Sequence, residues 1–192
     1  DIEMKIKWVG KYNGGNLPSA KVREDAHELP PVSAKSAVFI IPIIAVFIAL
    51  VWLKSKLLTG LTVTRLYLTI GLAIGFLLFP VHELLHAVCF PARSSAYIFY
   101  TNQGLGTTCL SPVTRNRFLL INLVPSAVLG ILPLIAFMGC SREYAAANSI
   151  LFAIAFLHIG GGYADYTNVF HTIKIPKDAT IQISEEKIFW WV

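Results

Sequence analysis

Four apolar stretches separated by polar ones set the first expectations for this chain. Residues 1–36 are polar and are broken by Gly14-Gly15, Pro18 and Pro30-Pro31, which reads as a tail with one short strand at Lys5–Val9. Ala37–Leu53 then runs without a charge and with a single proline. Leu66–Phe90 follows, then Phe118–Cys140 with Pro125 and Pro133, then Ala145–Asp165, which ends on Gly160-Gly161-Gly162. Each stretch approaches or exceeds the roughly 20 apolar residues that cross a bilayer as a helix. The prolines predict kinks, tolerated where neighbouring helices satisfy the freed backbone. Between the second and third stretches, residues 91–117 contain AYIFYT, NQGLG and TTCL; β-branched and aromatic residues around a glycine-rich turn predict a hairpin. Residues 166–192 are again polar, and IPKDATIQI predicts a short strand.

The pattern therefore predicts an all-α membrane protein. About four transmembrane helices carry a short β-hairpin-like loop between the second and third, and polar tails flank them. The expected divisions are a tail at 1–36, a four-helix membrane domain at 37–171 and a C-terminal tail at 172–192. Composition sharpens the class. Apolar residues make up 55% of the chain and charged ones only 14%, and the mean hydropathy is +0.63, values of a membrane protein rather than an ordinary soluble domain. DIEMK at the start points to Met4 as the native first residue, and no signal peptide precedes the first apolar run.

The net charge of +5 is small and dispersed. It speaks for membrane orientation and against a nucleic-acid surface. With four spans, the tails and the 91–117 loop share one side and hold Lys5, Lys7, Lys11, Lys21, Arg23, Lys35, Arg93, Arg115, Arg117, Lys174, Lys177 and Lys187. The other side holds Lys54, Lys56, Arg65 and Arg142. Twelve against four places both termini in the cytoplasm. Cys89, Cys109 and Cys140 are too scattered for a disulfide framework and read as core or loop residues.

One stretch breaks the apolar pattern. FPVHELLHAV, residues 79–88, places His82, Glu83 and His86 inside the second span, where ionisable groups are expensive and need a purpose. HELLH fits H-E-x-x-H. Positions i and i+4 of a helix share a face, so His82 and His86 can present imidazoles to one Zn²⁺, with Glu83 placed to act on a water as general base. The bland alternative is a set of polar residues bonding to neighbouring helices, and it must also explain a buried glutamate. Pro80 predicts a kink that opens space around the motif.

A catalytic zinc takes three protein ligands and keeps one position open. No third histidine follows at metzincin spacing; Cys89 stands three residues after His86. The remaining donors are Glu143, Asp165, Asp178, Glu185, Glu186, His158 and His171. His82 and His86 lie about 24 to 30 Å along the second span, and Asp165 about 30 Å along the fourth, which runs the same way. Glu143 falls in the loop on the opposite side, and the three tail carboxylates read as solvated. Asp165 is the expected third ligand, with His171 a weaker rival. His158, two turns before Asp165, reads first as a core histidine and second as a group near substrate. Asn122 reads as a helix-to-helix amide or a substrate contact, and Gly160–Gly162 as close packing or a loosened helix.

PVHELLHAV in a second span, the hairpin-like loop, INLVP, GGGYADYTNVF and the tail IPKDATIQISEEKIFWWV together resemble the "Putative zincin peptidase" family of small bacterial membrane proteins, from roughly Leu17 onward. More distantly, the chain is similar to site-2 proteases, which place HExxH on one membrane helix and an aspartate ligand on a later one. That likeness implies His82, His86 and Asp165 as ligands and Glu83 as base. The chain departs from that group in lacking NPDG; Asp165 stands instead in GGGYADYT. The expected function is an integral membrane zinc metalloprotease, working on a peptide or membrane-protein substrate, with the 91–117 hairpin presenting it by strand addition. Two rivals are a non-catalytic zinc-binding scaffold and a small transporter or haem protein. The haem reading needs His158 as a partner, because His82 and His86 share one face.

Overall fold

The computed structural model describes residues 5–33, 36, 38, 40–102 and 104–192. Met4 and the residues before it, Lys35 of the charge count, Ala37 and Phe39 at the head of the first predicted span, and Gln103 of the NQGLG turn lie outside the described residues. The chain divides into two compact units, one from residues 1–32, 80–124 and 167–192, the other from 33–79 and 125–166.

The first unit holds two β-sheets. In one, β1 (Lys5–Lys11) runs parallel to β3 (Ser95–Thr101), which pairs antiparallel with β4 (Gly104–Cys109). The second is antiparallel, with β2 (His27–Glu28), β7 (Lys187–Trp191), β6 (Thr180–Ser184) and β5 (Val113–Thr114) in that spatial order. Ala96 and Ile98 from β3, Cys109 from β4, Val113 from β5 and Ile181 from β6 bury a common core with Ala87, Phe90, Phe118 and Ile121. Burying side chains of this size is the main favourable term, about 1.5–3 kcal/mol for each large one.

The all-α expectation is thus corrected: seven strands in two sheets are present among the described residues. The predicted strand near Lys5, the 91–117 hairpin and the IPKDATIQI strand are all found, but as parts of sheets rather than as isolated segments. The physical reason is partner distance. Lys5 pairs with Ser95, and Glu28 with Phe189, so strand ladders close over long loops that no local period reports. β2 and β5, two residues each, are too short to show any period.

Arginines at the start of α4 (Arg115–Ser126) close the ends of two other helices. Arg117 donates from Nε to the Cys89 carbonyl at 2.9 Å and from Nη2 to the Phe90 carbonyl at 2.9 Å, just past the end of α3 (Phe79–Val88). Arg115 does the same for α7 (Tyr163–Thr172), reaching the Thr172 carbonyl at 3.0 Å and the Ile173 carbonyl at 2.9 Å. Helix C-termini leave carbonyls without helical donors and carry partial negative charge, so two guanidinium forks satisfy both needs at once.

The second unit is helical. α2 (Arg65–Leu77) and α6 (Ala145–Gly161) pack closely because two glycines face the partner helix. A Cβ on Gly71 would stand 2.7 Å from the Ile150 Cα, and one on Gly75 would stand 2.6 Å from Leu157 Cδ1. Phe47 of α1 (Ile40–Leu57) meets the rings of Phe152 and Phe156 edge-on, and Phe137 of α5 (Leu132–Gly139) lies 5.5 Å from Phe152. α1 continues past the expected end at Leu53. Lys54 is fully buried there, its ammonium bonded to Thr59 Oγ1 at 2.6 Å and to the Cys140 carbonyl, and lying over the Phe137 ring. A cation satisfied in this way need not end an apolar helix.

Three helical segments are long and apolar enough to cross a membrane: Ile40–Leu57, Arg65–Val88 and Arg115–Gly139. Ala145–Gly161 with Tyr163–Thr172, bent by 45°, makes a fourth if counted as one span. The outward positions agree with such a role. Ile41, Ile48 and Trp52 on α1 and Leu66, Phe76 and Leu77 on α2 are each more than half exposed, as a lipid-facing surface requires. The helical run is interrupted at Leu78, two residues before Pro80. Pro80 has no N–H for the Phe76 carbonyl, and its ring crowds that carbonyl.

The helix contact at Gly71 yields a test. Gly71→Val places a branched side chain against backbone that cannot retreat, and is expected to destabilise the protein by about 2 kcal/mol. Denaturant unfolding in detergent would show it as an earlier midpoint. The exposed Phe76→Val serves as control and should move the midpoint little.

Candidate metal centre

α3 is where the motif becomes geometry. His82, Glu83 and His86 are 5%, 7% and 9% exposed. The i, i+4 spacing sets both imidazoles on one face, their ring centroids 4.9 Å apart and their planes at 72°. Glu83 points toward β4: Thr107 Oγ1 donates to Glu83 Oε2 at 2.8 Å and also stands 3.1 Å from the Glu83 carbonyl.

His86 is oriented from α4. Its Nδ1 lies 2.8 Å from the Ile121 carbonyl oxygen. A carbonyl only accepts, so Nδ1 carries the proton and Nε2 is left with its lone pair for another partner. The availability of that carbonyl has a cause four residues on. In an α-helix the Ile121 oxygen would accept from the N–H of residue 125, but residue 125 is proline and has none. Pro125 gives α4 an open acceptor where His86 needs one. This is the arrangement by which metal-binding histidines are held to a tautomer and a direction.

Asp165 is the third residue of α7 and lies in its first turn, where the helix dipole favours an anion. The turn before it is tight. A Cβ on Gly162 would fall 2.6 Å from Ser126 Oγ, so a larger residue between α6 and α7 would force that hydroxyl to move. α7 is further held to α4 by Asn168, whose Nδ2 donates to Asn122 Oδ1 at 3.1 Å, while Asn122 Nδ2 donates to the Phe118 carbonyl at 2.8 Å. Asn122, read from the sequence as either an interhelical amide or a substrate contact, makes the interhelical bond.

The ligand-capable atoms of His82, His86 and Asp165 all lie within 4.8 Å of one another. Among the described residues no other set of three or more His, Cys, Asp or Glu does so. Ligands held tetrahedrally at about 2.1 Å from zinc stand about 3.4 Å apart, the same scale as the separations in this group. Two imidazoles and a carboxylate with a fourth position left over is also the donor chemistry of hydrolytic zinc. The residues fit the metal.

The other donors stand apart from this group. His158 is fully buried, with Nε2 3.1 Å from the Gly75 carbonyl and its ring 5.1 Å from Phe79, in keeping with a core histidine. His171 is half-buried beside Phe170. Glu143 is exposed in the turn before α6, and Glu185 and Glu186 form the turn between β6 and β7. Cys89, Cys109 and Cys140 are free thiols. The groups that sequence reasoning did not place are Thr107, the Ile121 carbonyl and Asn168. A trace of the second was present in the i, i+4 relation of Ile121 and Pro125, but nothing in the chain linked it to His86.

A family model described as "Putative zincin peptidase" matches residues 75–180, more than half of the chain. The match takes in HELLH, the hairpin, INLVP and GGGYADYT, and is narrower than the span from Leu17 onward that the resemblance suggested. No curated protein and no solved structure matches the chain.

The Pro125 relation can be tested without metal. With ¹⁵N-labelled histidine, neutral His86 is expected to show the Nδ1–H tautomer. Pro125→Ala supplies an N–H that competes for the Ile121 carbonyl and should erode that preference. An unchanged tautomer in the variant would mean that the proline is not what leaves the carbonyl open.

Proposed function

The chain belongs to the family described as Putative zincin peptidase, and from that premise we propose that it is an integral membrane zinc metallopeptidase. His82 and His86 of α3 and Asp165 of α7 hold the ion, and Glu83 is the general base. The observation that carries this reading is the close group of two imidazoles and one carboxylate, with an oriented glutamate on the same helix as both histidines. Zinc bound there supplies Lewis acidity, polarising a scissile carbonyl and lowering the pKa of a water toward neutrality.

The protein's own groups do the rest. The Ile121 carbonyl, by holding the His86 Nδ1 proton, keeps Nε2 as the ligand atom. Glu83 takes a proton from the attacking water and delivers it to the leaving amine. Burial of the three motif side chains excludes bulk water and strengthens each of these charge interactions. The substrate is a peptide or a membrane protein in extended form. β4 ends its sheet in the order β1-β3-β4 and carries Thr107 against Glu83, so a substrate strand added along β4 runs past the base. The twelve-to-four lysine and arginine asymmetry supports cytoplasmic termini, with the site toward the cytoplasmic end of its spans.

Detergent-purified protein, assayed for zinc and on a quenched fluorescent octapeptide library, tests this. Glu83→Gln is expected to keep stoichiometric zinc and lose hydrolysis by at least about 10²-fold. His86→Ala and Asp165→Ala are expected to lose zinc and activity together. Equal zinc in the wild type and both ligand variants would remove the site. Stoichiometric zinc with no turnover of any peptide would favour a non-catalytic zinc-binding scaffold.

A further inference from the structure

Thr107 lies outside HELLH, on a strand separated from it by a loop and by β3, yet its single hydroxyl touches both ends of the Glu83 residue. Oγ1 is 2.8 Å from the carboxylate Oε2 and 3.1 Å from the main-chain carbonyl oxygen. A glutamate has three side-chain torsions, and a hydrogen bond that holds its carboxyl group restricts them together. The hydroxyl carries one proton, which goes to the nearer oxygen, that of the carboxyl group.

Thr107 is itself fixed. It sits opposite Ile98 in the β3–β4 ladder, and Ile98 is buried in the core. The next residues, Thr108 and Cys109, are almost wholly buried, whereas Gly104 is exposed and Leu105 to Thr107 are half-buried. β4 thus has a buried end that anchors it and an open end that reaches the glutamate. The contact links the strand edge to the carboxylate by one hydrogen bond.

We propose that Thr107 is a positioning residue of the peptidase, locking the Glu83 carboxylate to β4 so that the base and a substrate strand lying on β4 share one frame of reference. The inference rests on the peptidase reading given above. It assigns Thr107 no contact with the reacting atoms and no part in holding the metal. A peptide added along β4 bonds to the strand's backbone, so removing the Thr107 hydroxyl leaves substrate binding intact and loosens only the aim of the base.

The test compares Thr107→Val, which keeps the shape without the hydroxyl, with Thr107→Ser, which keeps the hydroxyl, in full-length zinc-loaded protein in detergent. The first readout needs no turnover. The Glu83 carboxylate stretch, isolated as the infrared difference between each protein and its Glu83→Gln counterpart, is expected to move in Thr107→Val and to return in Thr107→Ser. The second uses the octapeptide that the wild type cleaves best. Thr107→Val is expected to lower kcat by about 10- to 100-fold with KM within about twofold, at unchanged zinc content, and Thr107→Ser to restore it. An unmoved carboxylate band overturns the inference. So does a moved band with wild-type kcat in Thr107→Val when Glu83→Gln is inactive. Lack of turnover in the wild type strikes the peptidase reading instead, and the band still reports on the Thr107 contact by itself.

Discussion

The hydrogen bond from His86 Nδ1 to the Ile121 carbonyl is the constraint on which the candidate site depends. It decides which imidazole nitrogen keeps its lone pair, and it fixes the ring against α4. It is possible because the helix withdraws a donor: Pro125 lacks the N–H that would otherwise claim the same oxygen. A proline inside an apolar helix reads at first as a kink. Here its second property, the missing donor, matters as much, because an acceptor left open in a buried place must find a partner and finds a histidine.

The same helix organises what lies on either side of it. At its start, Arg117 closes the end of α3 and Arg115 closes the end of α7, each by a two-pronged contact to consecutive carbonyls. A turn further on, Ile121 takes the His86 proton, and Asn122 beside it takes an N–H of Asn168. α4 itself carries none of the candidate ligands. It bonds to the helices that carry them, using its charged end for their termini and its polar middle for their side chains. These contacts are specific in direction, so α3 and α7 are set in rotation as well as in place.

Much of the site was legible in the chain. His82, Glu83 and His86 announce themselves because three titratable groups in an apolar run are costly and because i, i+4 is a helical face. Asp165 emerged from elimination and helix length, since a rise of 1.5 Å per residue converts position into depth. The glycines at 160–162 hinted at a loosened helix, and the chain does bend there, by 45°, between α6 and α7. The sheets were less legible. β1 and β2 pair with β3 and β7, and a strand whose partner lies far along the chain leaves only a weak local trace. Two polar tails therefore read as tails, although they supply β1, β2, β6 and β7.

The sequence by itself determined the apolar stretches, the HELLH pattern and the short inventory from which a third donor could come. These are properties of local spacing and of composition, and a helix fixes its own hydrogen bonds within four residues. Only the tertiary structure decided that Thr107 meets Glu83, that the Ile121 carbonyl meets His86 and that Asn168 meets Asn122. Each is a contact between elements with no shared period, made through a single carbonyl, hydroxyl or amide. Such groups occur throughout any chain, and only folding selects the few that meet.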